Sequence, residues 1–117
     1  MEFEIEFYKD NSGNNPIEEF LLELSGSNLK LVLKARQEID KLRNRIYHRE
    51  PFSKHIEPGL WELRVKSSTD ILRIFYSFEK GRIIILLHVF IKKKQKTSVK
   101  ELEIARKRLK EVRRIES

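Results

Sequence analysis

Arg64, Lys66, Arg73, Lys92, Lys93, Lys94 and Lys96 fall within residues 60–96, LWELRVKSSTDILRIFYSFEKGRIIILLHVFIKKKQK. Each lies in or just after a segment that reads as a β-strand. Gathered on one sheet, these guanidinium and ammonium groups would hold a polyanion, because both pair strongly with phosphate oxygens. Arg73 is the most pointed of them. It interrupts the apolar run Ile71, Leu72, Ile74, Phe75, and a guanidinium there costs desolvation unless it is paired or opens onto a ligand groove. Glu62 is the natural structural partner, so pairing and ligand binding both stand for Arg73. Arg64 and Lys66 also fit an ordinary solvated strand face. The lysines after the last strand fit a solvated basic run, although crowding of like charges lowers lysine pKa values and can fit one of them for proton transfer.

Other side chains are weaker candidates. In a regular strand Tyr76 faces away from Arg73; it can stack on a base, assist proton transfer, or simply be half-buried. His88 sits in an apolar strand and reads more readily as a hydrogen-bonded core residue than as a catalyst. His48 and His55 lie in or near a proline-containing segment with no supporting neighbours. The three histidines lack metal-ligand spacing, so no metal and no cofactor are expected. No glycine-rich phosphate loop, Ser/His/Asp constellation or carboxylate cluster is present. RNA can be cut without a metal when its 2′-hydroxyl attacks the neighbouring phosphate and cations stabilise the phosphorane. The chain has the cations but no obvious pair of proton-transfer groups.

The elements that must position these residues follow from periodicity. Residues 2–8 alternate acid and apolar side chains, the pattern of a half-buried strand. Asn15-Pro16-Ile17-Glu18 opens a helix, with Asn15 as cap, and Ile17, Phe20, Leu21 and Leu24 form its apolar stripe to about Ser25-Gly26. A second helix is expected after Ser27 or Asn28, with Leu29, Val32, Leu33, Ile39 and Leu42 as apolar positions. So short a link predicts an antiparallel helical hairpin. Residues 48–59 read as a loop. Three strands follow, at about 60–66, 71–78 and 82–91, with links short enough for an antiparallel meander. Trp61, Leu63 and Val65 share one face of the first; Glu62, Arg64 and Lys66 share the other. The last strand is apolar on both faces and belongs in the sheet interior. Ser98-Val99-Lys100-Glu101 reads as a capping box for a terminal helix with Leu102, Ala105, Leu109 and Val112 as its apolar stripe. The expectation is one α+β domain over residues 1–117, a small antiparallel sheet in β-α-α-β-β-β-α order flanked by helices.

Charge is unevenly placed. Residues 1–59 hold 9 Lys and Arg against 11 Asp and Glu, and residues 60–117 hold 16 against 7, so the whole formal excess of +7 lies in the second half. A one-sided basic field suits nucleic acid, and also an acidic protein partner. The absence of cysteine removes disulfides, thiolate nucleophiles and cysteine-based zinc sites together. No secretory signal is expected at the acidic N-terminus, and the longest apolar run is too short to span a bilayer as a helix. These features predict a cytoplasmic, membrane-free protein.

The residues LWELRV, RIFYSF and IILLHVFIKKKQKTS, followed by the helix that begins ELEIA, resemble the phage-derived, HigB-like branch of the RelE/ParE toxin superfamily over nearly the whole chain. The resemblance implies a ribosome-dependent mRNA endonuclease, the toxin of a type II toxin–antitoxin pair, cutting through attack of the 2′-hydroxyl. It implies catalytic roles for Arg73, Lys92, Lys93 and Lys94, with Arg73 at the scissile phosphate. It implies RNA contacts from Arg64, Lys66 and Lys96, and base stacking by Tyr76 or Phe90. Arg73→Ala is then expected to remove activity while leaving the fold intact. The implied partners are mRNA, the ribosome and a HigA-like helix-turn-helix antitoxin, through which alone the toxin would reach operator DNA. ParE-like relatives share the fold and inhibit DNA gyrase instead, and a non-catalytic basic binding module is a third class.

Overall fold

The computed structural model describes residues 2–92 and 99–116. Strand β1 (Glu4–Phe7) is followed by helix α1 (Pro16–Lys41) and a short 3₁₀ turn at Arg45–Tyr47. Strands β2 (Ser53–Glu57), β3 (Leu60–Lys66), β4 (Ile71–Glu79) and β5 (Ile83–Lys92) precede helix α2 (Val99–Glu116). The five strands form one sheet in the order β1-β5-β4-β3-β2. The fold is α+β, as expected, but the sheet differs from the expectation in two ways.

First, the sheet is mixed. β1 runs parallel to β5, because α1 carries the chain across a sheet face before the antiparallel β2-β3-β4-β5 meander begins. Second, residues 48–59 are not all loop: β2 pairs antiparallel with β3 at the sheet edge. Its sequence, SKHIE, carries little apolar alternation, and an edge strand needs little. The β2–β3 turn depends on Gly59, whose φ is +83° and whose missing Cβ leaves room for Leu109 and Arg113 of α2.

The two expected helices are joined without a loop, yet they fold back on each other as the expected antiparallel hairpin: Arg36 Nη2 reaches Glu18 Oε1 at 2.6 Å, a pair that a straight helix would hold about 27 Å apart. Ser25, Gly26 and Ser27 remain helical, and the break falls on Asn28 (φ −150°, ψ 68°). The Asn28 side chain accepts from the Leu31 N–H at 3.2 Å, as an N-cap does for a new helical segment. At the start of α1, Asn15 caps the Glu18 N–H at 3.0 Å, as the sequence predicts.

Ile17, Leu21, Leu31, Val32, Ala35 and Ile39 of α1 are buried with Leu63, Val65, Leu72, Ile74, Ile84 and Leu86 of the sheet. Each fully buried leucine or isoleucine contributes about 1.5–3 kcal/mol. Leu29 and Leu33, expected among the buried positions, are instead exposed. The restart at Asn28 sets the phase of the second segment and turns Leu31 and Ala35 inward. α2 lies against the opposite face, where Ala105 and Leu109 are buried and Glu101 and Arg108 reach His88 of β5.

Candidate anion-binding face

Directly paired residues on neighbouring strands share a face, and the register assembles three rungs. The first is Lys54, Glu62, Phe75 and His88; the second is Arg64, Arg73 and Phe90; the third is Lys66, Ile71 and Lys92. Five cations from four strands therefore surround one carboxylate.

Glu62 is the pivot. It is fully buried, and its Oε1 accepts from Arg64 Nε at 3.2 Å and from Arg73 Nη1. Arg64 and Arg73 stand directly opposite each other, a placement that like charges disfavour unless an anion lies between them. Arg73 is 8% exposed, and both its Nε and the Glu62 Oε2 are buried without a hydrogen-bond partner among the described residues. The pair is half satisfied, so each member retains capacity for a further contact. The structural and ligand-binding readings of Arg73 thus meet in one site.

Lys92 closes the third rung. Its ammonium pKa is held below the ordinary lysine value, first by desolvation and then by the charges of Arg73, Arg64 and Lys54, with Glu62 opposing. That shift brings Lys92 closer to proton transfer than an isolated lysine.

His88 ends the first rung, and both its ring nitrogens are engaged. Nδ1 lies 3.4 Å from Arg108 Nη1, which can only donate. Nε2 therefore carries the hydrogen and donates to Glu101 Oε2 at 2.9 Å. The ring stacks on Phe90 with centroids 5.6 Å apart. Burial is the main cause that lowers its pKa; Glu101 opposes and Arg108 assists. His88 is the hydrogen-bonded residue its sequence context suggests, and Glu101 turns to it from the first turn of α2.

Arg64, Lys66, Arg73, Phe90 and Lys92 of the predicted site come together on this face. Two aromatic expectations require correction. Tyr76 lies on the opposite face, fully buried, with its hydroxyl donating to Ser53 Oγ at 2.7 Å and its pKa raised to about 12 mainly by burial. It offers no ring surface to a base, because cross-strand pairing with Trp61 turns it toward the α1 side. Phe90 is on the cation face but is 8% exposed and packed between Phe75 and His88. It walls the site and offers little ring surface for stacking. Lys93, Lys94 and Lys96 lie outside the described residues, as does Ser98 of the expected capping box. The retained fold expected for Arg73→Ala conflicts with the geometry, since that change strips the buried Glu62 carboxylate of its Arg73 partner.

Lys54 was missed because its segment reads as loop. Glu62, expected to share a face with Arg64 and Lys66 and to pair with Arg73, does both, and its second ion pair, to Arg64, makes it the centre of the cluster. His55 is exposed beside Trp61, and His48 packs against Phe3 and Phe78 with Nε2 2.6 Å from the Leu42 carbonyl. Neither joins the site.

A five-stranded mixed sheet with α1 on one face and α2 on the other, and a cation cluster built around a buried carboxylate, defines a small α+β domain. Residues 19–110 match the family of phage-derived Gp49-like proteins, and the chain belongs to that family. The family is associated with RelE/HigB-like toxins, and membership is compatible with the toxin of a toxin–antitoxin system. A search of curated proteins returned no significant match. Among the described residues, no helix is long and apolar enough to cross a membrane.

Proposed function

We propose that this chain is a HigB-like toxin that cleaves mRNA on the ribosome without a metal ion. The observation that carries this reading is the convergence of Arg64, Arg73 and Lys92 around Glu62. RNA cleavage by its own 2′-hydroxyl puts extra negative charge on a pentacoordinate phosphorane. Donors fixed in advance around that charge lower the barrier. Arg73, held by Glu62, faces the scissile phosphate, and Arg64 and Lys66 neutralise the neighbouring backbone. The 2′-hydroxyl gives up its proton to solvent water as its oxygen bonds to phosphorus, the bond to the 5′-oxygen breaks, and Lys92, whose pKa is lowered, protonates that leaving oxygen; the products are a 2′,3′-cyclic phosphate and a free 5′-hydroxyl. Glu62 acts through the arginines and is a positioning residue. A cognate helix-turn-helix antitoxin of the HigA type would restrain the toxin and carry it to operator DNA.

The test is induction in bacteria followed by mapping of new 5′ ends across transcripts, with plasmid supercoiling followed in the same cultures. Translation-dependent cuts within coding regions, lost in Lys92→Gln at matched expression, are the expected result. Growth arrest with intact transcripts and altered supercoiling would replace this reading with gyrase inhibition. Absence of both effects would leave a basic binding module.

A further inference from the structure

We propose that the cleft between the second half of α1 and the β3–β4 turn docks an acidic, leucine-bearing amphipathic helix of a partner protein. Leu29 and Leu33 are 56% and 54% exposed. Isolated exposed leucines are ordinary, but these two stand four residues apart on one side of a helix. Leu33 borders an open cleft of about 830 Å³ that reaches from Asn28 to Thr69. Three lysines line it, Lys30, Lys34 and Lys66, against a single acid, Glu38. Lys34 Nζ donates to the Lys66 carbonyl, so the helix and the strand end are tied together before anything binds.

Charge and apolarity together select the occupant. RNA would use the lysines and leave the leucines wet. A second copy of this chain offers an alternating acidic and apolar segment at Glu4, Ile5, Glu6 and Phe7, but Ile5 and Phe7 pack against its own core and are committed. An amphipathic helix with leucines on one side and glutamates on the other satisfies both features, in the helix-in-groove mode. Lys66 belongs to this cleft and to the third rung of the cation face. An occupant would therefore lie at the rim of that face. The cleft is independent of whether the face cuts RNA.

The test is a titration of the isotope-labelled full chain with a synthetic amphipathic peptide of leucines and glutamates. It is followed by backbone amide shifts and fluorescence anisotropy. Shifts are expected at residues 29–38 and 66–69. Leu29→Ser/Leu33→Ser should weaken binding about tenfold or more, as loss of central apolar anchors does. Lys30→Glu/Lys34→Glu should weaken it too. Because the two leucines are exposed, unchanged circular dichroism and melting should accompany Leu29→Ser/Leu33→Ser, and unchanged circular dichroism should accompany Lys30→Glu/Lys34→Glu, which also gives up the Lys34 contact to the Lys66 carbonyl. Undiminished binding by the leucine variant, or equal binding of a peptide with its leucines replaced by serine, would overturn the proposal. So would shifts confined to Arg64, Arg73 and Lys92, or displacement of the peptide from the cleft by a single-stranded RNA oligonucleotide. Self-association of the free chain that Leu33→Ser abolishes would assign the cleft to a second copy and overturn it as well.

Discussion

Replacing Arg73 with alanine removes the guanidinium that lies against the fully buried Glu62 carboxylate. Glu62 is fully buried and, among the described residues, keeps only Arg64 Nε, at 3.2 Å. Breaking a buried ion pair from one side costs about 3–5 kcal/mol, because the remaining charge stays desolvated. The surviving Arg64 contact places this case near the lower end, about 3 kcal/mol. Against a total stability of about 5–15 kcal/mol for a domain, that is a large fraction. At about 3–6 °C per kcal/mol for a chain of this length, the midpoint should fall by about 10–20 °C. Urea and thermal unfolding of the wild type, Arg73→Met, Glu62→Leu and the double variant Glu62→Leu/Arg73→Met complete a cycle, with Arg73→Ala measured beside it. The double variant should recover most of the loss, since a buried pair replaced by apolar groups of similar volume is often neutral. If Arg73→Ala melted within about 0.5 kcal/mol of wild type, as surface changes do, the buried-pair argument would be refuted. The consequence for function is direct: inactivity of Arg73→Ala does not by itself identify a catalytic residue, and Lys92→Gln is the cleaner probe.

Lys66→Gln and Lys92→Gln should each reduce the slope of log affinity against log salt by about 0.7 for a single-stranded RNA oligonucleotide. Anisotropy across a salt series checks this, and an unchanged slope would remove that lysine from the phosphate path. His48 and His88 both have folded pKa values below the ordinary 6.5, with burial as the first cause. The unfolded chain therefore takes up protons first as pH falls. Their contribution to stability is complete above about 6.5 and is lost as pH drops toward the folded values. Urea midpoints measured across that window should fall, and in His88→Gln they should fall less. Gly59→Ala should cost about 1–2 kcal/mol from the left-handed backbone alone. The added Cβ would also meet Leu109 and Arg113 at 3.1 Å; a melting point within error of wild type would show that the turn relaxes freely.

What the sequence determined is whatever depends on local periodicity and charge. Alternation at residues 60–66 put Glu62, Arg64 and Lys66 on one face and Trp61, Leu63 and Val65 on the other, and the register agrees. The Asn15 cap and the apolar stripe of the last helix were equally legible, because each needs only near neighbours. The tertiary structure decided what depends on partners distant in the chain. Parallel pairing of β1 with β5 and the recruitment of SKHIE as an edge strand follow from which edge is left open, and no local pattern encodes that. The break at Asn28 set the helical phase and left Leu29 and Leu33 in solvent. Tyr76 was claimed for the core by Ser53, and His88 by two residues of α2. The cation face itself lies between these cases. Its residue types were visible in the chain, but their convergence on Glu62 required three strand registers to agree, and those are fixed by packing across the sheet.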